Sequence, residues 1–247
     1  MQYTDWGGRA SRWSGIRSET VDVHGTKVHY LVTDQTRTSE VPVHLLVPNP
    51  ANSASNWLDV LAELRPHAHA VAVDLPGTIA GHTALPGLAI VAPVARVLLR
   101  VSGRRILAEK LRLPADPASI AGSRWNTGGD LTRMSPEIAG LMRDEMSAVE
   151  PTRLGSAVTV YASLMSLMLV RRRPVLDAMR RVASPTLLVW GDEDRLTPRA
   201  SIDDWTAQRP DWNLVVLHRV GHAPPFEVPA DYARTVIDWC GPRVHDR

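Results

Sequence analysis

Two nearly continuous apolar runs with an amphipathic segment between them restrict the folds that this chain can adopt. The runs are VPVHLLV at residues 41–47 and AVAVDL at residues 70–75. Runs of this kind are typical of strands that are buried on both faces of a parallel sheet. The segment between them begins near Ser55 or Asn56, either of which is a suitable helix cap. Its apolar positions share one helical face: Trp57, Val60, Leu61 and Leu64. A strand, a helix and a second strand predict a parallel sheet with a right-handed crossover.

The last third of the sequence repeats this order of elements. TLLVWG at 186–191 and NLVVLH at 213–218 predict two more buried strands. Thr197 and Pro198 have the residue types expected at the N-cap and first position of an intervening helix. Pro229 is expected to open a final helix. The apolar residues of that helix fall on one face: Tyr232, Ala233, Val236, Ile237 and Cys240.

The remaining segments complete an α/β pattern. VDVHGTKVHYLV at 21–32 alternates on either side of His24 and Gly25, which predicts a hairpin. A helix is expected to start at Ser135 and Pro136, within a helical and irregular middle region. We therefore predict an α/β fold whose mostly parallel sheet is flanked by helices. Its parts are an N-terminal core portion at 1–93, a helical cap at 94–184 and a C-terminal core portion at 185–247.

Composition excludes several classes of function. The chain is 44% hydrophobic and 22% charged, which is ordinary for a globular protein. The formal net charge is +2 and the arginines are scattered apart from a run at 171–173, so we expect no nucleic-acid partner. Cys240 is the single cysteine, which excludes an internal disulfide and a multi-cysteine metal site. We expect no metal or cofactor, and a cytoplasmic location.

Membrane insertion and secretion are not expected either. The N-terminus is polar and contains glycine, unlike a secretory leader. The longest apolar stretch, at 156–170, is shorter than the roughly 20 residues that span a bilayer. We interpret it as a buried helix.

An acidic loop and a histidine follow the two predicted C-terminal strands. Asp192, Glu193 and Asp194 come directly after TLLVWG, and His222 follows NLVVLH by a few residues. Ligands of open α/β sheets bind at the edge where such loops lie. A carboxylate there can fix the tautomer of an imidazole, and the imidazole can then move a proton.

With these motifs in place, the sequence resembles the α/β-hydrolase family over nearly its whole length. The matching segments are VDVHGTKVHYLV, NWLDVLAELRPHAHAVAVDLPG, GLAIVAP, LLVWGDEDRLTP and VGHAPPFEVP. The resemblance implies that Asp194 is the acid of a catalytic triad and that His222 is the general base. It also implies hydrolysis of an ester or a related small apolar substrate, with Met165, Met168 and Leu169 of the cap lining the entry.

The loop after the third strand departs from the family pattern. Val47 and Pro48 stand where the family usually has His-Gly, whose loop lends an N–H to the oxyanion hole. Proline cannot donate, so Asn49 is the remaining oxyanion or substrate-binding candidate. Asn49 and Pro50 also resemble the corresponding loop of haloalkane dehalogenases and some C–C bond hydrolases. The pair is more typical of a simple turn.

The family's nucleophile motif, G-x-S-x-G, does not occur in this sequence. GTIAG at 77–81 has the glycine spacing but carries Ile79 at the reactive position, while Ser102 and Ser123 lack a preceding buried strand. Between the DLPG turn and GLAIVAP the family has roughly 45 residues of helix, strand and helix. In this sequence only PGTIAGHTALPG at 76–87 lies between those two motifs. Fully extended, this segment spans about 40 Å, which is barely enough for the chain to run back along the sheet and begin another parallel strand.

Three interpretations of the junction at Pro86 and Gly87 remain open. In the first, the natural polypeptide contains a segment that this sequence lacks, and the protein is then a serine hydrolase. In the second, the segment is truly deleted. In the third, an unexpected residue acts as the nucleophile in a rearranged site. A true deletion would expose apolar strand surface, which a partner such as a second copy of the chain would cover. The competing functions are an inactive binding protein and a dehalogenase-like enzyme.

Overall fold

The computed structural model describes residues 5–34, 43–47, 53–74, 126–147 and 172–244. The strands within these ranges are β1 (Ile16–Val23), β2 (Thr26–Thr33), β3 (Val43–Leu46), β4 (His69–Val73), β5 (Leu187–Gly191) and β6 (Asn213–Leu217). The helices are α1 (Leu58–Leu64), α2 (Pro136–Ser147), α3 (Arg172–Arg181), α4 (Arg199–Gln208), α5 (Pro224–Glu227) and α6 (Pro229–Val244). Short 3-10 helices cover Trp6–Gly8, Ser11–Trp13, Ala54–Trp57 and Leu131–Arg133.

The sheet is mixed, and the predicted α/β class is confirmed. Four strands lie in the order β1, β2, β4, β3, and β5 pairs with β6. The two pairs predicted as parallel, β3 with β4 and β5 with β6, are both parallel. β1, β2 and β4 pair in antiparallel fashion, because β1 and β2 form a hairpin whose second strand borders β4.

The predicted hairpin forms, and it is longer than the alternating pattern indicated. Its register runs from Ile16 opposite Thr33 to Val23 opposite Thr26. His24 and Gly25 both have positive φ, 50° and 80°, as a two-residue type I′ turn requires. This hairpin adds an antiparallel edge to the parallel strands.

The helix after β3 starts earlier than predicted. Ser53, rather than Ser55 or Asn56, is the cap, and it forms a capping box with Asn56. The chain enters a 3-10 turn at Ala54–Trp57 and continues as α1. The expected apolar face is confirmed for Val60, Leu61 and Leu64, which are fully buried; Trp57 packs against this core while partly buried.

The polar-looking N-terminus contributes large side chains to the same core. Trp6 and Trp13 are buried, with their ring centroids 6.2 Å apart in an edge-on arrangement. Ile138 and Leu141 of α2 belong to the same buried cluster. The described part of the predicted cap therefore packs directly on the core, while the division at 94 and 184 remains a prediction.

The prediction that β3 is buried on both faces is wrong for the described structure. Val43 and Leu45 are 53% and 63% exposed, whereas His44 and Leu46 on the other face are half-buried. Within the described ranges β3 pairs only with β4, so one of its edges and one face have no neighbour. The neighbouring strand β4 is more deeply placed, with Ala70 and Ala72 fully buried.

Several sequence predictions concern residues outside the described ranges. These are Asn49, the junction at Pro86 and Gly87, the GLAIVAP strand, the apolar segment at 156–170 with Met165, Met168 and Leu169, and the alternatives Ile79, Ser102 and Ser123. None of the described helices has the length and hydropathy needed to cross a bilayer.

A buried carboxylate fastens the N-terminal segment to the core. Asp59 of α1 is 8% exposed. Its Oδ1 accepts from Arg12 Nε and Trp13 Nε1, both at 2.8 Å, and its Oδ2 accepts from Ser135 Oγ at 2.6 Å. Three separate segments thus meet on one side chain.

Replacing Asp59 by alanine should lower the free energy of unfolding by about 3 kcal/mol, since it leaves Trp13 Nε1 and Ser135 Oγ without their acceptor and removes one of the two carboxylates that pair with Arg12. Urea denaturation monitored by circular dichroism would measure this loss. Asp203→Ala breaks an exposed ion pair with Arg199 and should cost no more than about 0.5 kcal/mol. Equal losses in the two variants would contradict the anchoring role of Asp59.

Candidate functional site

The loop after β5 holds a buried carboxylate by main-chain hydrogen bonds. Asp194 Oδ1 accepts from the N–H groups of Leu196 and Thr197, both at 2.8 Å. The Thr197 carbonyl in turn accepts from Trp190 Nε1 at 2.9 Å. Because both backbone groups of Thr197 serve this loop, α4 begins at Arg199 with Pro198 as its N-cap, one residue later than predicted.

The loop after β6 brings His222 to this carboxylate. His222 Nδ1 lies 2.9 Å from Asp194 Oδ2, so the two residues predicted to act together are hydrogen-bonded. The Glu193 N–H also donates to the Val220 carbonyl at 2.9 Å, which ties the two loops by their backbones. The Asp194 side chain is 5% exposed and that of His222 is 36% exposed. The acid is therefore enclosed while the imidazole remains accessible.

The surroundings of Asp194 favour its ionised form. Burial acts to raise the pKa of Asp194, but the hydrogen bond from His222, the Thr197 and Leu196 N–H groups and the nearby imidazole charge together lower it. An ionised Asp194 accepts the Nδ1 proton of His222, which leaves Nε2 as the basic nitrogen. Nε2 makes no hydrogen bond to a described residue, so it is available to a reacting group.

The same strands carry a second pair that the sequence did not single out. His218 Nδ1 lies 2.9 Å from Asp192 Oδ2, and the Arg219 N–H donates to Asp192 Oδ1 at 2.7 Å. His218 is 83% exposed and Asp192 is 35% exposed. Solvent weakens such a contact, so this pair is a poor candidate for orienting a catalytic base.

A third aspartate and histidine pair lies at the end of β4. His29 Nδ1 is 2.7 Å from Asp74 Oδ2, and Asp74 Oδ1 accepts from the Ala54 N–H at 2.7 Å. This carboxylate joins β2 to the start of the helix that follows β3. Nowhere in the described ranges do three or more His, Cys, Asp or Glu side chains form a group that could hold a metal ion.

Two buried serines near the start of α1 bind a carboxylate of α2. Ser53 Oγ lies 2.9 Å from both carboxylate oxygens of Glu145, and Ser55 Oγ donates to Glu145 as well. Burial raises the pKa of Glu145, although the hydrogen bonds from Ser55 and Ser53 act in the opposite direction. Both hydroxyls are engaged in joining α1 to α2, and no imidazole of the described ranges is hydrogen-bonded to either.

A turn at residues 126–130 braces both loops of the candidate site. The Arg195 N–H of the acid loop donates to the Thr127 carbonyl at 2.8 Å. Gly128 has φ +99°, and a Cβ at that position would lie 1.8 Å from the Glu193 carbonyl oxygen. Glu227 accepts from the N–H groups of Gly221 and Asp130. Sequence reasoning missed this brace, although the adjacent glycines of NTGGD were a usable sign of a special turn.

Comparisons with known proteins identify the family of this chain. A model of the Alpha/beta hydrolase family matches residues 79–235, more than half of the chain. No curated protein matches the sequence.

Solved structures with the same fold cover nearly the whole chain. A protein of Acinetobacter baumannii AYE assigned as a lipase has 15% identity and a TM-score of 0.63, covering 97% of this chain and 95% of its own. The thioesterase domain of the curacin biosynthetic pathway has 15% identity and a TM-score of 0.60, with coverages of 91% and 100%. A serine hydrolase involved in carbazole degradation has 16% identity and a TM-score of 0.59, with coverages of 92% and 99%. At these identities the likeness is one of fold. The family match over more than half of the chain shows that this chain belongs to the alpha/beta hydrolase family.

Proposed function

We propose that the protein hydrolyses an ester or a related small apolar substrate, with His222 as general base and Asp194 as its orienting acid. The observation that carries this proposal is the 2.9 Å contact between His222 Nδ1 and an enclosed Asp194 carboxylate at the ends of two parallel strands. Among the three aspartate and histidine pairs described, this one has the most deeply buried acid, since the Asp194 side chain is 5% exposed against 11% for Asp74 and 35% for Asp192.

The chemistry would proceed in two acyl-transfer steps. His222 Nε2 takes the proton of a nucleophile as that group attacks the substrate carbonyl, and Asp194 stabilises the resulting imidazolium. The imidazolium then gives the proton to the departing alcohol, leaving an acyl-enzyme. Water enters and loses a proton to His222 as it attacks the acyl-enzyme carbonyl, and the imidazolium returns that proton to the nucleophile as the acid leaves. The backbone N–H of Asn49 is the candidate donor to the oxyanion.

The names of the structural relatives support acyl transfer as the reaction class. One relative is assigned as a lipase, and another is a thioesterase domain. Both names describe attack on an acyl carbonyl with release of an alcohol or a thiol.

A fluorophosphonate probe followed by intact-mass spectrometry tests the proposal on the folded protein. We expect one covalent adduct, together with turnover of a short-chain p-nitrophenyl ester that the probe abolishes. Peptide mapping of the adduct would identify the nucleophile and so decide between the interpretations of the junction at Pro86 and Gly87.

Other results would point to the alternatives. A folded protein with neither adduct nor ester turnover would reject serine chemistry and favour a binding protein that has lost its nucleophile. Halide release from a haloalkane without an adduct would favour the dehalogenase-like alternative.

A further inference from the structure

Glu227 is a buried carboxylate whose hydrogen bonds all reach backbone N–H groups of other loops. It is the last residue of α5 and is 3% exposed. Oε1 lies 3.0 Å from the Gly221 nitrogen, and Oε2 lies 3.1 Å from the same nitrogen. Oε2 also accepts from the Asp130 N–H at 3.0 Å. Burying a carboxylate is unfavourable unless hydrogen-bond donors compensate for the loss of water. The Gly221 and Asp130 N–H groups provide that compensation for Glu227.

The two donors belong to different parts of the candidate site. Gly221 immediately precedes His222 in the chain. Asp130 ends the turn at 126–130, whose Thr127 carbonyl accepts from the Arg195 N–H of the acid loop. Glu227 therefore completes a continuous connection from the residue beside the imidazole, through this turn, to the loop that holds Asp194.

We infer that Glu227 is a positioning residue, which sets the orientation of the Val220–Gly221 peptide and so, through Gly221, aims the His222 imidazole at Asp194. This inference rests on the proposed function. Gly221 is buried, and its N–H would have to turn toward another acceptor if the carboxylate were removed. That rotation turns the Val220–Gly221 peptide, and because only the Gly221 Cα separates it from the next peptide, it would also displace His222. Displacing a catalytic group by about 1 Å can lower a rate by roughly 100-fold.

The pattern of donors explains why a carboxylate is required. Both oxygens of Glu227 face N–H groups, so each must be an acceptor. In Glu227→Gln one oxygen is replaced by an NH₂ group, which would face a backbone N–H donor to donor. The side chain keeps nearly the same volume. The glutamine variant thus replaces one of the two acceptors by a donor with little change in packing, whereas Glu227→Ala removes both acceptors and the packing.

The experiment compares Glu227→Gln with Glu193→Gln, which changes an exposed glutamate of the acid loop. The first readout is p-nitrophenyl ester turnover at a temperature where circular dichroism shows each variant to be folded. We expect Glu227→Gln to lower kcat roughly 10- to 100-fold with little change in KM, because the base is misplaced after binding. Glu227→Ala should lower kcat at least as much, and Glu193→Gln should leave it unchanged.

The second readout does not depend on activity. Nitrogen-15 NMR of the labelled histidine rings at alkaline pH reports the tautomer of neutral His222, whose signals are assigned by their loss in His222→Ala. The tautomer is fixed by the hydrogen bond that the ring makes. We expect the Nδ1–H form in the wild type and in Glu193→Gln, and a shift toward the Nε2–H form in Glu227→Gln.

The two readouts separate the inference from the proposed function. A folded Glu227→Gln protein with unchanged kcat and an unchanged His222 tautomer would overturn the positioning role. A shifted tautomer in a protein whose wild type hydrolyses no ester would support the positioning role while rejecting the proposed function. A lower melting temperature with both readouts unchanged would show that Glu227 is only a structural residue.

Discussion

Replacing His222 by alanine is expected to lower kcat for a p-nitrophenyl ester by roughly 10⁴- to 10⁶-fold. The variant loses the group that takes the proton from the nucleophile and returns it to the leaving alcohol. The fold should survive, because Asp194 keeps its hydrogen bonds from Leu196 and Thr197 and the imidazole is partly exposed. Steady-state kinetics and circular dichroism on the same preparations would measure both effects.

His218→Ala is the matched control for that experiment. His218 also contacts an aspartate at 2.9 Å and follows the same strand, but it is largely exposed. We expect ester turnover and fold to be unchanged in this variant. If His218→Ala abolished turnover and His222→Ala did not, the catalytic assignment would belong to the Asp192 pair instead.

Replacing Gly128 by alanine is expected to destabilise the protein by more than about 4 kcal/mol. Two penalties combine at this position. A positive φ costs an alanine about 1–2 kcal/mol. The added Cβ would also lie 1.8 Å from the Glu193 carbonyl oxygen, so the turn or the acid loop must move. Urea denaturation would measure the loss, and ester turnover of the remaining folded fraction would report displacement of the acid loop.

Gly25→Ala separates these two penalties. Gly25 has φ +80°, but nothing lies within 4 Å of the position that its Cβ would take. We expect it to cost about 1–2 kcal/mol, the conformational penalty alone. A Gly128→Ala variant as stable as Gly25→Ala would show that the contact between the turn and the acid loop is not needed for folding.

Local patterns were sufficient to predict the elements that lie close together along the chain. The hairpin about His24 and Gly25 needed only alternation and a suitable turn pair. The apolar runs predicted β3, β4, β5 and β6, since each was short and bounded by turn residues. The exact starts of helices were less accurate, because tertiary contacts recruited Ser53 as a cap and placed Thr197 in the acid loop.

The placement of Asp194 and His222 was also predictable, for a reason that combines sequence and topology. Each residue follows a strand, and parallel strands end at the same edge of a sheet. The observed contact agrees with that expectation, while their catalytic roles remain proposals. The role of Asn49 remains a prediction too, as that residue lies outside the described ranges.

The features that sequence reasoning missed depend on contacts between distant segments. Asp59 looks like an ordinary acid in the first turn of a helix, yet Trp13 and Ser135 cover it. No sequence pattern indicated the role of Glu227. One of its two hydrogen-bond donors is the N–H of Asp130, which lies 97 residues before Glu227 in the chain. The turn at 126–130 has no helical or strand periodicity, so no pattern placed it beside the site.

The brace at 126–130 has a consequence for engineering the site. It meets the acid loop through main-chain atoms, at the Arg195 N–H and the Glu193 carbonyl. The side chains of Glu193 and Arg195 are themselves exposed. Substitutions at these two positions would therefore change the surface charge of the acid loop while the main chain keeps Asp194 in register, which makes them suitable positions for attaching a label or altering solubility.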